Sequence, residues 1–337
     1  MQSQEKQVER TKKMSEFWHK YQQPILMYGG VFFGLIALIM LATLTQSGYP
    51  YNMTAITIVD TEDIHLAVQW YALFILYGIV GAAVLAYYEF KRLNIDTNIL
   101  FDGLLWCVPL SIVGARLYYV IFDPLPSYQN FIDVINITQG GLAIHGAVIV
   151  TIITLIFFTR HKKVSFWLVV DVLAVGFLVG QISGRWGNFM NAEAYGPAIE
   201  NGSFMLKILP DFIKQQMTIS GVVHHPTFLY EGAWNFVGLI FMLFARRQRW
   251  LKTGDLMGVY LIWYGLGRGA LIEPLRTLGE VGDALMIPGT QIPTNIALSF
   301  GVLMLGGILI IVLKHFLIEN QPYYYDLLVK TDETHTV

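Results

Sequence analysis

The chain has 337 residues, 55% of them apolar and 14% charged, with a mean hydropathy of +0.52. Soluble domains carry about 25% charged residues, so this composition excludes an ordinary soluble domain and indicates an integral membrane protein. A formal net charge of −2 excludes a strongly basic nucleic-acid binder, and the single cysteine, Cys107, excludes a disulfide framework or a Cys-rich metal site.

The first 23 residues are polar and carry Lys6, Arg10, Lys12, Lys13 and Lys20, and an apolar run from Pro24 to Leu44 follows. A secretory signal has an apolar region of about 7–15 residues before a small-residue cleavage site. This run is longer and lacks that site, which predicts a retained anchor helix. Seven more apolar segments follow, roughly 66–88, 97–122, 141–159, 165–184, 226–245, 255–272 and 293–313. Since about 20 apolar residues span a bilayer, the expected fold class is all-α, a polytopic membrane bundle of about eight helices. Sixteen of the 22 basic residues fall in the N-terminal segment, alternate connections (Lys91, Arg92; Arg160, Lys162, Lys163; Arg246, Arg247, Arg249, Lys252; Lys314) and Lys330. The positive-inside rule therefore places both termini in the cytoplasm. Expected divisions are a basic head plus first helix at 1–60, a membrane domain at 61–318 with an outward loop at 197–224, and a cytoplasmic tail at 319–337.

Of the remaining basic residues, Arg116, Arg185, Arg268 and Arg276 sit near outward helix ends, against the charge rule. Ionisable groups at membrane depth are costly and point to function, although one arginine alone more often snorkels to the headgroups. Polar motifs accompany them. Gly140-Gly141-Leu142-Ala143-Ile144-His145-Gly146 opens the fourth span with small residues around an imidazole. Gly184-Arg185-Trp186-Gly187-Asn188-Phe189-Met190-Asn191-Ala192-Glu193 closes the fifth, and its Arg185, Asn188 and Asn191 repeat at about one helical turn. A guanidinium suits bidentate capture of phosphate or carboxylate; a polar helix C-terminus accounts for Arg185 but not for its polar neighbours. His224-His225-Pro226-Thr227-Phe228-Leu229-Tyr230-Glu231 opens the sixth, where adjacent histidines lack the i,i+4 spacing of a zinc helix and Glu231 needs a cationic partner. In the seventh, Tyr264 and Arg268 share a face at i,i+4, followed by Glu273, Pro274 and Arg276.

Arginines, amides and carboxylates at headgroup depth suit an anionic lipid, and His145 and Tyr264 can take or orient a proton. Cys107 lies mid-span in apolar surroundings, where a thiol is a poor nucleophile. No Gly-x-Ser-x-Gly elbow is present, so any nucleophile must arrive with a second substrate. The loop 197–223 alternates apolar and polar residues and is broken by Pro210, consistent with an element on the outer leaflet or a passive loop.

These motifs, with Trp70-Tyr71 and Gly114-Ala115-Arg116-Leu117-Tyr118-Tyr119, resemble the bacterial prolipoprotein diacylglyceryl transferases from about Ala67 to Leu313. The resemblance implies transfer of the diacylglyceryl group of phosphatidylglycerol to the thiol of a prolipoprotein lipobox cysteine, in the bacterial cell membrane, with no cofactor, metal or nucleic acid. By motif it implies that Arg185 and Arg268 hold the phosphate and that His145 is the candidate base, with Tyr264 assisting. Tyr71, Asn188, Asn191, Glu193, Glu231, Glu273 and Arg276 would complete the polar cavity. The family spacing from the arginine to the following glutamate is usually four residues, but Arg268 to Glu273 is five. On a regular α-helix that rotates Glu273 about 140° away, so either a π-bulge absorbs the extra residue or Glu273 belongs to the outer loop. The first 60 residues or so lie outside the family's seven-helix core. The competing reading is a transporter or lipid-binding protein that uses the same charges as a pathway; transporters commonly carry internal repeats, and none is evident.

Overall fold

The computed structural model describes residues 2–60, 65–123, 128, 130–137, 140–279, 294–318 and 321–328, with backbone alone for residues 2–22 and a few at element ends. Lys330 and most of the expected tail lie outside the described residues. Helix α1 runs Gln2–Leu44, with Pro24 inside it. An antiparallel hairpin, β1 (Thr54–Asp60) and β2 (His65–Gln69), leads into α2 (Trp70–Arg92). Then come α3 (Asn98–Ile121), α4 (Phe131–Ile135), α5 (Ile144–His161) and α6 (Phe166–Met190). The loop after α6 holds two short helices, α7 (Phe204–Ile208) and α8 (Asp211–Gln216), and a small hairpin of β3 (Thr218–Ile219) and β4 (Val222–Val223). Helix α9 (Thr227–Ala245) and α10 (Asp255–Leu266) follow; α10 continues through a π-helical turn, Gly267–Ile272, into α11 (Glu273–Gly279). The last rod joins α12 (Thr294–Leu298), α13 (Leu305–Val312) and two more π-helical turns, Ser299–Met304 and Leu313–Leu317.

Among the described residues, seven helices are long and apolar enough to cross a membrane. The eighth expected span, near 255–272, is helical throughout and runs on to Gly279; its charged residues make it less apolar than the others. Boundaries shift by several residues: α6 runs on to Met190 where the fifth span was expected to end at 184, and the second span starts late. Residues 65–69 are strand, and the helix begins only at Trp70. The β-branched run Thr54-Ala55-Ile56-Thr57-Ile58-Val59 is the signal for this hairpin.

Helix α6 is the most buried of the spans and forms the axis of the bundle. Lipid tails are as apolar as leucine, so helices associate through close packing and internal polar bonds rather than through water exclusion. Both devices appear here. Gly78 of α2 lies against Gly180 of α6, where an added Cβ would stand 2.9 Å from the opposing Cα. At one end of the bundle, Glu89 of α2 is 1% exposed and accepts both terminal nitrogens of Arg247 at 2.9 and 2.6 Å and the Tyr324 hydroxyl at 2.9 Å. Arg246 stands 3.4 Å from the same carboxylate and donates to the Tyr28 hydroxyl of α1. Nearby, Asp171 of α6 accepts from the backbone N–H groups of Gly254 and Met257 at 2.6 and 2.9 Å, tying down the start of α10.

The loop after α6 is anchored to the bundle. Gln216 accepts the Tyr51 N–H at 2.7 Å and donates to the carbonyls of Phe189 and Met190 at 3.0 and 3.2 Å. Pro210 breaks it into two short helices, as its missing N–H and fixed φ require.

Candidate functional site

The polar site lies at the other end of the bundle, where α6 ends, α2 and α9 begin, and α10 gives way to its π turn. Arg185 stands on the last turns of α6, and its side chain is 17% exposed. One terminal nitrogen donates to Asn188 Oδ1 at 3.1 Å, and the other pairs with Glu231 of α9 at 3.0 Å. Asn188 and Asn191 in turn donate to Glu193 Oε1 at 2.6 and 3.4 Å. The i,i+3 spacing of Arg185 and Asn188 makes this local bond possible; the Glu231 contact is tertiary.

The second arginine belongs to the π turn. Arg268 donates to the Tyr264 hydroxyl at 3.2 Å and to Glu273, and Arg276 stands 3.6 Å from the same carboxylate. The extra residue between Arg268 and Glu273 is absorbed at Gly267–Ile272, because i→i+5 winding brings residues five apart onto one face. Close packing accompanies the turn: Gly267 lies against Trp234, and Gly269 against Phe300. Glu231 also acts electrostatically on Arg268 and on Tyr260, so both arginines belong to one cluster of alternating charge. Arg185 donates one hydrogen bond, to Asn188, besides its ion pair with Glu231, and Arg268 donates two; a guanidinium carries five N–H groups, which leaves donors for an anion.

A cavity of about 490 Å³ runs from this cluster into the bundle. Its polar end is lined by Arg185, Asn188 and Tyr71, the last packed against Gly187. Its walls are apolar, from Ile75 and Ile79 of α2 and Val108 and Leu104 of α3 down to Phe90, Leu100, Phe158 and Val169. From Arg185 to Val169 along α6 is roughly 24 Å.

His145 stands apart from the other ten residues named from the motifs. It is exposed on the first turn of α5, with its ring 5.8 Å from that of Tyr118. It does not line the cavity, and no hydrogen bond to it is seen among the described residues. Its helix does form a cavity wall: Thr151, six residues further on and roughly 9 Å deeper, lines it. Arg116, an outward arginine, is a loop clamp. It donates to the carbonyls of Asp133, Val134, Gly140 and Gly141 at 2.7, 2.7, 3.3 and 3.0 Å. Gly140 and Gly141 have φ of +92° and +74°, a region that favours glycine. His224 and His225 bond to the Gly196 carbonyl and the Tyr230 hydroxyl, each at 2.9 Å. Two residues absent from the motif reading join the site, Gln181 and Tyr260, linked at 2.7 Å. The i,i+4 spacing of Gln181 to Arg185 and of Tyr260 to Tyr264 was the signal available.

The profile of the prolipoprotein diacylglyceryl transferase family matches residues 59–312. The chain belongs to this family. Curated relatives bearing the name phosphatidylglycerol–prolipoprotein diacylglyceryl transferase include a Listeria welshimeri protein, 41% identical over 261 residues covering 77% of this chain and 90% of that one. A Bacillus cereus relative is 45% identical over 245 residues, covering 73% and 87%, and a Bacillus cytotoxicus relative 43% over 256, covering 75% and 92%. The family match includes the arginine cluster and cavity walls; all of α1 and residues 321–328 fall outside it.

Proposed function

We propose that this chain transfers the diacylglyceryl group of phosphatidylglycerol to the lipobox cysteine of a prolipoprotein. The cysteine sulfur forms a bond to the glyceryl carbon next to the phosphate ester, the carbon–oxygen bond breaks, and glycerol 1-phosphate leaves with the electron pair. The product is a thioether, and the thiol proton passes to a base.

The observation that carries this reading is the pair of guanidiniums, Arg185 and Arg268, each oriented by a buried carboxylate, with Arg185 at the polar end of a largely apolar cavity. That arrangement suits one amphiphile, with its phosphate on the arginines and its chains inside. Preorganised cations stabilise the phosphate as it gains charge. Glu231 and Glu273 hold the arginines, Arg276 steadies Glu273, and Tyr71, Asn188, Asn191 and Glu193 complete the polar rim. A free thiol with pKa near 8.5 is only a few percent ionised at neutral pH, so a base matters. His145 is the candidate for that role, exposed to a substrate arriving from outside the bundle on a helix whose Thr151 lines the cavity; Tyr264 assists from the arginine cluster by accepting from Arg268. The site faces the outer leaflet and both termini are cytoplasmic, in keeping with the basic residues Arg160, Lys162, Arg246 and Arg247 at the opposite end. Residues 61–318 form the transferase domain.

The test is the mass of a lipobox peptide after incubation with purified protein in phosphatidylglycerol micelles. A gain of one diacylglyceryl group, lost in Arg185→Ala and His145→Ala proteins that still fold, supports the assignment. Full activity in those variants overturns it.

A further inference from the structure

One turn deeper than Arg185, the same face of α6 carries Gln181, and both residues line the cavity. Gln181 is the last polar side chain that α6 contributes; beyond it the wall continues with Gly180, Phe177, Gly176, Leu173 and Val169. Its Nε2 donates to the Tyr260 hydroxyl at 2.7 Å, while its Oε1 is buried with no partner among the described residues. Tyr260 is held in turn by a parallel stack on Tyr264, with centroids 5.9 Å apart. The amide is therefore tethered at one end and free at the other. A tyrosine hydroxyl both donates and accepts, so the amide can turn over, accept from Tyr260, and present an N–H to the cavity.

A glycerophospholipid places its groups in the order phosphate, glycerol, ester, hydrocarbon. With the phosphate on Arg185, a step of about 5.4 Å, one helical turn, brings the ester level to Gln181. An ester carbonyl taken out of water into an apolar cavity costs free energy unless a donor meets it. We propose that Gln181, positioned by Tyr260, donates to an ester carbonyl of the lipid and makes the protein select diacyl over dialkyl donors. This inference rests on the transferase reading above.

The experiment compares kcat/KM for diacyl- and dialkyl-phosphatidylglycerol of matched chain length in the same micelles. The unaltered protein is expected to favour the diacyl lipid by about fivefold, the worth of one neutral hydrogen bond, and Gln181→Leu to bring the ratio close to one. Tyr260→Phe, which keeps the ring stack but releases the amide, lowers the ratio as well and serves if the leucine variant fails to fold. An equal preference in the unaltered protein, or a ratio that neither variant changes, overturns the inference and leaves the transferase reading standing. Transfer from neither lipid overturns both.

Discussion

Arg268 and Glu273 are five residues apart, yet they form an ion pair, because the backbone between them is wound as a π-helix over Gly267–Ile272. The glutamate is 2% exposed and Arg268 22%, so the carboxylate is held out of water while the guanidinium keeps some access to it, and a second arginine, Arg276, approaches the same carboxylate. Removing one partner from a buried pair leaves an uncompensated charge, at a cost of about 3–5 kcal/mol. Glu273→Ala is expected to lower kcat/KM for lipid transfer by at least tenfold, with most of the loss in the orientation of Arg268. Deleting Ala270 restores four-residue spacing on an α-helix and is expected to retain more activity than Glu273→Ala. The two variants assayed side by side decide whether the pairing or the π winding matters.

His145 supplies a sharper kinetic prediction. General-base catalysis contributes typically 10²–10⁴-fold, so His145→Ala should lose roughly that much at neutral pH. The deficit should shrink as the assay approaches pH of about 8.5, where the peptide thiol ionises unaided. A pH-independent deficit would show that the imidazole does something other than take the proton.

The Arg116 clamp fixes the segment that leads into α5. Besides its four backbone acceptors, Ala143 N–H donates to the Ala115 carbonyl at 3.0 Å, and Gly146 packs on Gly114. Arg116→Ala is expected to raise amide hydrogen exchange across residues 130–143 by at least tenfold, while Arg185 and its neighbours keep their protection. Exchange that stays unchanged would show that the glycine contacts alone hold the segment.

At the opposite end, Glu89 joins α1, α2, the end of α9 and residues 321–328 through Tyr28, Arg246, Arg247 and Tyr324. Glu89→Ala leaves two arginines unpaired in a buried setting, with an expected loss of about 3–5 kcal/mol. Thermal unfolding in detergent should show a markedly lower midpoint. Tyr324→Phe removes one hydrogen bond and should cost about 1–2 kcal/mol.

His225 sets an acid limit on the outer loop. Burial, and secondarily the neighbouring His224, hold its pKa below the usual value of about 6.5. Between that value and the lower folded-state pKa, the unfolded chain binds more protons, so stability falls as pH drops below about 6.5. Melting curves from pH 7 to 5 should show this fall, and His225→Gln should flatten it.

Much of this was legible along the chain. Hydropathy marked the spans to within a few residues, since a membrane helix must be continuous in sequence and apolar in bulk. The i,i+3 and i,i+4 spacings placed Arg185 beside Asn188, and Tyr264 beside Arg268, because helical neighbours are fixed by count. Glu273 could not be placed that way. Its position depended on whether the backbone wound at 3.6 residues per turn or wider, and that is settled by packing around Gly267 and Gly269.

The sequence by itself determined a polytopic helical bundle, its polar end groups and the family. Only the tertiary structure decided that Arg185 pairs with Glu231, that Arg116 clamps a loop instead of facing a ligand, that His145 stands outside the cavity, and that Gln181 is tethered by Tyr260. Local periodicity encodes which residues share a helix face. Which helix lies opposite that face depends on how all the helices pack at once, and contacts between residues 89 and 324, or 185 and 231, leave no trace in any short stretch of chain.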